Sequence, residues 1–243
     1  MKLSVVVPVK NEADNIRPLI VEIQSALQDL LDYEIIYVDD GSDDNTWNEL
    51  ISLMPEVNNL KLVRHRISCG QSTALLSGVK KARGEWIATL DGDGQNDPAD
   101  IPKLLQAMHK YTSNKQLDMV AGWRQVRYDN FIRRLSSRIA NSVRKFMLHD
   151  AAPDSGCGLK LFRRSMFLEL PYFSHMHRFL PALVRRAGGE LMSVPVSHRP
   201  RQYGVSKYGI SNRLWVGIID MLGVRWLQKR SSLPEFISDT TIN

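Results

Sequence analysis

Glu85-Trp86-Ile87-Ala88-Thr89-Leu90-Asp91-Gly92-Asp93-Gly94-Gln95-Asn96-Asp97-Pro98 joins an apolar run to an acidic, glycine-bearing turn without a break. The run is short, follows Gly84 and carries no polar alternation, which is the pattern of a strand buried on both faces. Such strands belong to sheets covered by helices on either side. This one stretch therefore points to an α/β fold with a mostly parallel sheet flanked by helices.

Working back toward the N-terminus, strands and helices alternate. Leu3–Val9, Glu34–Val38 and Leu60–Arg64 read as strands, and Met119–Trp123 reads as a further one downstream. Between them, helical spacing runs through Glu12–Leu31, Asp43–Met54, Ser72–Ala82 and Asp100–Tyr111. In Glu12–Leu31 the apolar face is Ile16, Leu19, Ile20, Ile23, Leu27, Leu30 and Leu31. Strands separated by single helices imply parallel pairing through right-handed crossovers. Ligands of such sheets gather beyond the carboxyl ends of the strands, and these ends carry Asp39, Asp91 and Arg124.

The second half reads differently. Phe131–Leu148 is a basic amphipathic helix, a loop follows at Ala151–Gly158, and helices are expected around Ser165–Leu170 and His175–Gly188. A strand is expected at Glu190–Arg199 and a last amphipathic helix at Ile210–Arg230. Without repeats or linkers, the expectation is one domain over residues 1–209 with a helical appendage and tail over 210–243. Leu214, Trp215, Ile218, Ile219, Leu222, Trp226 and Leu227, beside Arg213, Arg225, Lys229 and Arg230, suit a helix lying in a membrane interface. The alternative is packing against the body of the protein or against a sister subunit in a homo-oligomer.

Composition narrows the partners. Of 243 residues, 43% are hydrophobic and 24% charged, which excludes a disordered or fibrous chain. The net charge of +6 calls for a polyanionic partner, and the excess of arginine falls between Arg124 and Arg230. Cys69 and Cys157 are too few for a disulfide framework. The opening Met1–Pro8 reads as a first strand rather than a secretory signal, and no stretch approaches the ~18 apolar residues of a membrane span. The expected location is cytosolic or peripheral to a membrane.

The turn after Leu90 carries the chemistry. In an extended segment alternate side chains share a face, which would align Asp91, Asp93 and Gln95. Two carboxylates and an amide oxygen are the hard ligands that Mg²⁺ or Mn²⁺ prefers. An isolated Gly-Asp turn is the ordinary reading of such a motif, and a calcium loop would need a terminal glutamate that is missing here. Position at the end of a buried strand favours catalysis. At Asp39-Asp40-Gly41-Ser42 the acids could accept hydrogen bonds from a ribose or a base edge, while Ser42 or Asp43 also suits a helix N-cap.

Taken in register, Val7-Pro8-Val9-Lys10-Asn11-Glu12, Val38-Asp39-Asp40-Gly41-Ser42 and Asp91-Gly92-Asp93-Gly94-Gln95-Asn96-Asp97-Pro98 resemble inverting family-2 glycosyltransferases of the GT-A (Rossmann-like) fold. Gly122-Trp123-Arg124, Arg133 with Ser137, Asp154-Ser155-Gly156-Cys157-Gly158-Leu159-Lys160 and Gly204-Val205-Ser206-Lys207-Tyr208 are similar to the polyprenyl-phosphate branch related to dolichyl-phosphate mannose synthase. The resemblance spans about residues 3–230. It implies that Pro8, Glu12 and Asp39 line a nucleoside pocket, that Asp93 and Gln95 hold Mg²⁺ or Mn²⁺, and that Asp91 lies against the donor. Arg124, Arg133, Ser137, Arg201 and Lys207 would hold donor and acceptor phosphates, and Ser206 would join the donor-binding residues. The implied reaction moves a sugar from a UDP- or GDP-linked donor to a polyprenyl phosphate at the cytoplasmic face of a membrane.

The residues support that acceptor class separately. A hydroxyl acceptor needs a general base, whereas a phosphate monoester is mostly anionic near neutral pH and needs cations to hold it. Arginine supplies them with a planar fork. Rival functions fit less well. No G-x-G-x-x-G follows the first strand, which disfavours a dinucleotide dehydrogenase. A nucleic-acid-binding module explains the charge but not acids at buried strand ends, so no nucleic-acid partner is expected. The nearest rival is a family-2 enzyme acting on a sugar hydroxyl.

Overall fold

A computed structural model describes residues 2–29, 32–113, 116–125, 142–150, 152–201 and 210–232. The strands are β1 (Leu3–Val9), β2 (Tyr33–Asp39), β3 (Leu60–Arg64), β4 (Trp86–Thr89), β5 (Leu117–Arg124), β6 (Lys160–Arg163) and β7 (Glu190–Val196). The helices are α1 (Ala13–Ala26), α2 (Thr46–Leu53), α3 (Gln71–Lys81), α4 (Ile101–His109), α5 (residues 142–148), α6 (Arg164–Glu169), α7 (Leu180–Arg186) and α8 (Ile210–Lys229). The strands form one seven-stranded sheet in the order β3-β2-β1-β4-β6-β5-β7.

Period-2 alternation sends side chains to two separate cores. Leu3, Val5, Val7 and Val9 of β1 pack with Ile35 and Tyr37 of β2 against Ile16, Leu19, Ile20 and Ile23 of α1 and Ile101, Leu104 and Leu105 of α4. Val6, Ile36 and Val38 face the other way, against Ala74, Leu75 and Val79 of α3, Leu180, Leu183 and Val184 of α7, and Met221 and Val224 of α8. Burying each large aliphatic side chain stabilises the fold by about 1.5–3 kcal/mol, so both faces of the sheet contribute.

One strand departs from the expected parallel order. β6 pairs antiparallel with both β4 and β5, whereas β1, β2, β3 and β4 pair in parallel, as do β5 and β7. Four residues with a cation at each end carry too little periodicity to be read as a strand from sequence. The reversal has a consequence for the site. It places the first residue of β6, Lys160, opposite Thr89 and Ala121, at the edge where its neighbours have their carboxyl ends. The helix expected over His175–Gly188 is shorter than its spacing implied: a 3₁₀ turn at Met176–Arg178 precedes α7.

α8 packs on the body of the protein along one side only. Val224 and Met221 are buried against the sheet-covering core, and the Gln228 amide donates to the Leu148 carbonyl at 2.8 Å. On its other side Ile219, Leu222 and Trp226 are 66%, 53% and 59% exposed. Among the described residues no helix is long and apolar enough to cross a membrane.

Candidate active site

The turn after β4 is not an extended segment. Gly94 has φ +71°, the Asn96 side-chain oxygen accepts from the Asp91 N–H at 3.2 Å, and the Gln95 N–H donates to Asp93 Oδ1 at 3.1 Å. The acids are therefore gathered by a folded turn, not by strand alternation. Asp97 caps the short helix that follows, accepting from the Ala99 N–H at 2.9 Å. The chain leaving β7 clamps this turn from outside: the Arg199 N–H donates to the Gln95 carbonyl at 3.0 Å, the Gln95 amide returns to the Arg199 carbonyl at 3.4 Å, and the Arg199 guanidinium pairs with Asp97.

Asp91 is wedged between helix and loop. Gln71, the first residue of α3, donates its amide to Asp91 Oδ1 at 2.8 Å. The other oxygen lies against Gly158, where a Cβ would stand 2.2 Å from Asp91 Oδ2. Only glycine lets that backbone pass so close. Burial pushes the Asp91 carboxyl above the usual carboxylate range and the neighbouring Asp93 adds to this, while Lys160 and Arg124 oppose it. Lys160 is buried, with its ammonium on the Cys157 carbonyl. Burial lowers the pKa of that ammonium, against the pull of Cys157, Asp91 and Asp154.

Arg201 spans the two acids that the resemblance assigns to different parts of the donor. It donates to Asp93 Oδ2 at 2.6 Å and to Glu12 Oε1 at 3.4 Å. Glu12 in turn accepts from the Asn15 amide at 2.7 Å. Pro8, on β1, is half-buried at the same edge.

Asp39 and Asp40 are neighbours with different surroundings. Asp39 is fully buried; its Oδ1 accepts from the Ser42 N–H at 2.9 Å, and its Oδ2 lies 3.2 Å from Arg64, which also stacks over Trp47. That Oδ2 makes no hydrogen bond of good geometry. Asp40 accepts four hydrogen bonds, from His65, Ser68, Cys69 N–H and Gly70 N–H, all between 2.7 and 2.8 Å. Burial raises its pKa, but these four donors outweigh that and hold it below the usual range. His65 continues to Ser77 at 2.9 Å, so this Ser–His–Asp chain ties the loop at residues 65–70 to the middle of α3.

The second half supplies cations that are already paired. Arg124 makes a two-pronged contact with Asp154, at 2.7 and 3.0 Å. Arg144, buried on α5, pairs with Asp150 at 3.1 Å and donates to the Ala152 carbonyl at 2.7 Å and to Ser155. Together they fix the loop at residues 152–158 against the acids. The expected phosphate-holding Arg133, Ser137 and Lys207, and the expected donor-binding Ser206, lie outside the described residues. Asp91, Asp93, Gln95, Arg124, Glu12, Asp39, Pro8 and Arg201 all come to the one strand edge. Sequence reasoning did not single out Gln71, Asp154 or Lys160 as site residues. The signal for the latter two was the Asp154–Lys160 motif; nothing in the sequence marked Gln71.

A model of glycosyl transferase family 2 matches residues 4–170. The chain is 36% identical over 242 residues to dodecaprenyl-phosphate galacturonate synthase of Rhizobium johnstonii, covering 96% of this chain and 69% of that protein. It is 32% identical over 211 residues to undecaprenyl-phosphate 4-deoxy-4-formamido-L-arabinose transferase of Edwardsiella ictaluri, covering 86% of this chain and 63% of that protein. Glucosyl-3-phosphoglycerate synthase from Mycobacterium tuberculosis, solved with Mn²⁺, UDP and phosphoglyceric acid, superposes with a TM-score of 0.67 at 17% identity over 95% of this chain and 79% of that one. Its complex with Mg²⁺ and UDP gives 0.69 at 18% over 91% and 79%. At those identities the structures speak for the fold, which is GT-A-like as expected. The family model and two relatives above 30% identity speak for descent, and by them this chain belongs to glycosyltransferase family 2.

Proposed function

We propose that this glycosyltransferase moves a sugar from a UDP- or GDP-linked donor to a polyprenyl phosphate, with inversion, at the cytoplasmic face of a membrane. The observation that carries the acceptor is that, among the described residues, fixed cations frame the acids. Arg124, Lys160 and Arg201 all lie in the field of Asp91 or Asp93. His177, within the field of Lys160, has Nδ1 on Ser72 at 2.8 Å, and burial holds its pKa far below the ordinary value. The names of both relatives point to the same class of acceptor.

The donor side follows from the strand ends. Asp39 Oδ2, buried without a good hydrogen bond, suits an N–H of the base or a ribose hydroxyl, with Glu12 and Pro8 beside it. The turn fits a divalent metal: it offers hard oxygen donors, a glycine cradle at Gly158, and an acid, Asp93, that already attracts a cation in Arg201. Asp93 and Gln95 would hold Mg²⁺ or Mn²⁺, which when bound would neutralise the diphosphate leaving group. Arg201 is placed to turn from Asp93 and Glu12 to that diphosphate.

In the reaction an oxygen of the acceptor phosphate forms the new bond to the anomeric carbon. The bond to the nucleotide's diphosphate breaks on the opposite face, and the nucleoside diphosphate departs with the electron pair. No proton has to leave the nucleophile, so the residues act by positioning and by neutralising charge. α8 would rest on the membrane through Ile219, Leu222 and Trp226. A panel of labelled nucleotide sugars with undecaprenyl phosphate, undecaprenol and free oligosaccharides tests this. Transfer to the phosphate alone is expected; equal transfer to a hydroxyl acceptor would overturn the acceptor assignment.

A further inference from the structure

A concavity of about 430 Å³ lies between the ends of α5, α7 and α8, lined by His149, Arg185, Arg186, Arg225, Gln228 and Lys229 among others. Its walls are fixed by bonds between the elements. Arg186 Nε donates to the Leu227 carbonyl at 3.1 Å, Gln228 to the Leu148 carbonyl at 2.8 Å, and the Ser231 hydroxyl to the Arg186 carbonyl at 3.2 Å. Arg185, Arg225 and Lys229 are left facing the concavity, and among the described residues no carboxylate pairs with them. The acid within the field of Arg185 is Asp150, which Arg144 already holds.

This is not the catalytic edge. α7 leads through Gly188 and Gly189 into β7, so Arg185 and Arg186 sit toward the amino-terminal edge of the sheet, whereas Asp91 and Arg124 follow carboxyl ends. On α8, Arg225 and Lys229 stand one turn apart, on the flank next to the exposed Leu222 and Trp226. Cations beside an exposed apolar stripe match a phospholipid at an interface, with phosphate in the concavity and acyl chain along the stripe. We propose that this concavity binds the phosphate headgroup of an anionic phospholipid. It would set how the enzyme sits on its membrane, separately from the acceptor phosphate at the active site. The proposal rests on the membrane placement of α8 given above.

Vesicle sedimentation tests it, comparing phosphatidylcholine alone with phosphatidylcholine mixed with phosphatidylglycerol. Each cation near an anionic surface contributes about fivefold, so Arg185→Gln with Arg225→Gln should weaken binding to the anionic vesicles roughly 30-fold and leave binding to the neutral ones unchanged. A control pair, Arg17→Gln with Lys110→Gln, removes the same charge from α1 and the end of α4 on the opposite face of the sheet, and should cost less than about threefold. Glycerol phosphate should not compete; displacement by it would mark a site for free phosphate and overturn the lipid assignment. Equal losses in the two pairs, or wild-type binding in the Arg185/Arg225 pair, would also overturn it. Transfer to polyprenyl phosphate in detergent should be unchanged in both pairs. If the wild type transfers in detergent yet binds no vesicle, the headgroup site is wrong and the proposed reaction stands.

Discussion

Arg124, Arg144 and Lys160 differ from Arg185, Arg225 and Lys229 in what surrounds them, although both sets belong to the same arginine-rich half of the chain. In the first set Arg144 and Lys160 are buried and Arg124 is half-buried: Arg124 grips Asp154, Arg144 grips Asp150, and Lys160 lies beside Asp91. The second set lines an open concavity. In the first region charge builds a rigid frame around the acidic turn after β4. In the second it is free to meet an anion from solution. A count of basic residues cannot separate the two, because the difference lies in which carboxylates the fold brings within reach.

The sharpest way to break this comparison is to remove one cation from each region. Arg144→Ala leaves Asp150 buried without its counter-ion and should destabilise the protein by about 3–5 kcal/mol, read from the urea midpoint at constant slope. Arg225→Gln should stay within about 0.5 kcal/mol. Similar losses from both would erase the distinction.

The frame matters because of the acids it surrounds. Asp93→Ala should lower turnover on the order of 10²–10³-fold while the unfolding midpoint stays close to wild type. Full activity, or activity persisting in excess chelator, would remove Asp93 from the proposed metal site.

A paired carboxylate at the other end of the sheet extends the rule to pH. Glu34 is held at about 2 against an ordinary 4.5: burial raises it, but Lys61, Ser4 and the Arg83 N–H outweigh burial. Its folded pKa is depressed, so its contribution is fully present above pH 4.5 and is lost as pH falls toward about 2. The size should be about 3 kcal/mol. Glu34→Gln should flatten the stability profile across that window, and an unchanged profile would show that other acids dominate it.

Arg201 lies between the two regions in character, paired but one-quarter exposed. If it acts as a counter-ion in the place of the metal, Arg201→Gln should tighten Mn²⁺ binding without donor by roughly three- to tenfold, measured by loss of the free-ion paramagnetic signal. Weaker binding would mean that Arg201 supports the metal site instead.

Much of this architecture is written locally. β1, β2 and β4 are legible because apolar runs end abruptly at Pro8-Val9, Asp39 and Asp91, and the helices between them follow from 3.6-residue spacing in Ile16, Leu19, Ile20 and Ile23. The acids at those ends were legible for the same reason, since hydrophobic periodicity fixes where a strand stops. Asp91, Asp93 and Gln95 were expected to align by extended alternation, but Gly94 and Asn96 fold that segment into a turn. Asp39 and Asp40 are indistinguishable as adjacent letters. One keeps a buried oxygen without a good partner, and the other is saturated by a loop roughly 25 to 30 residues away.

The sequence by itself determined the α/β class, the strand ends that carry acids, and the family motifs, because each depends on spacing within a short window. Only the tertiary structure decided that β6 runs against its neighbours and delivers Lys160 beside Asp91, and that Arg124 faces Asp154. It also decided that α8 buries Val224 while exposing Trp226. Strand direction, charge pairing and the choice of buried face are set by contacts between segments far apart in the chain, and local propensity carries no information about those contacts.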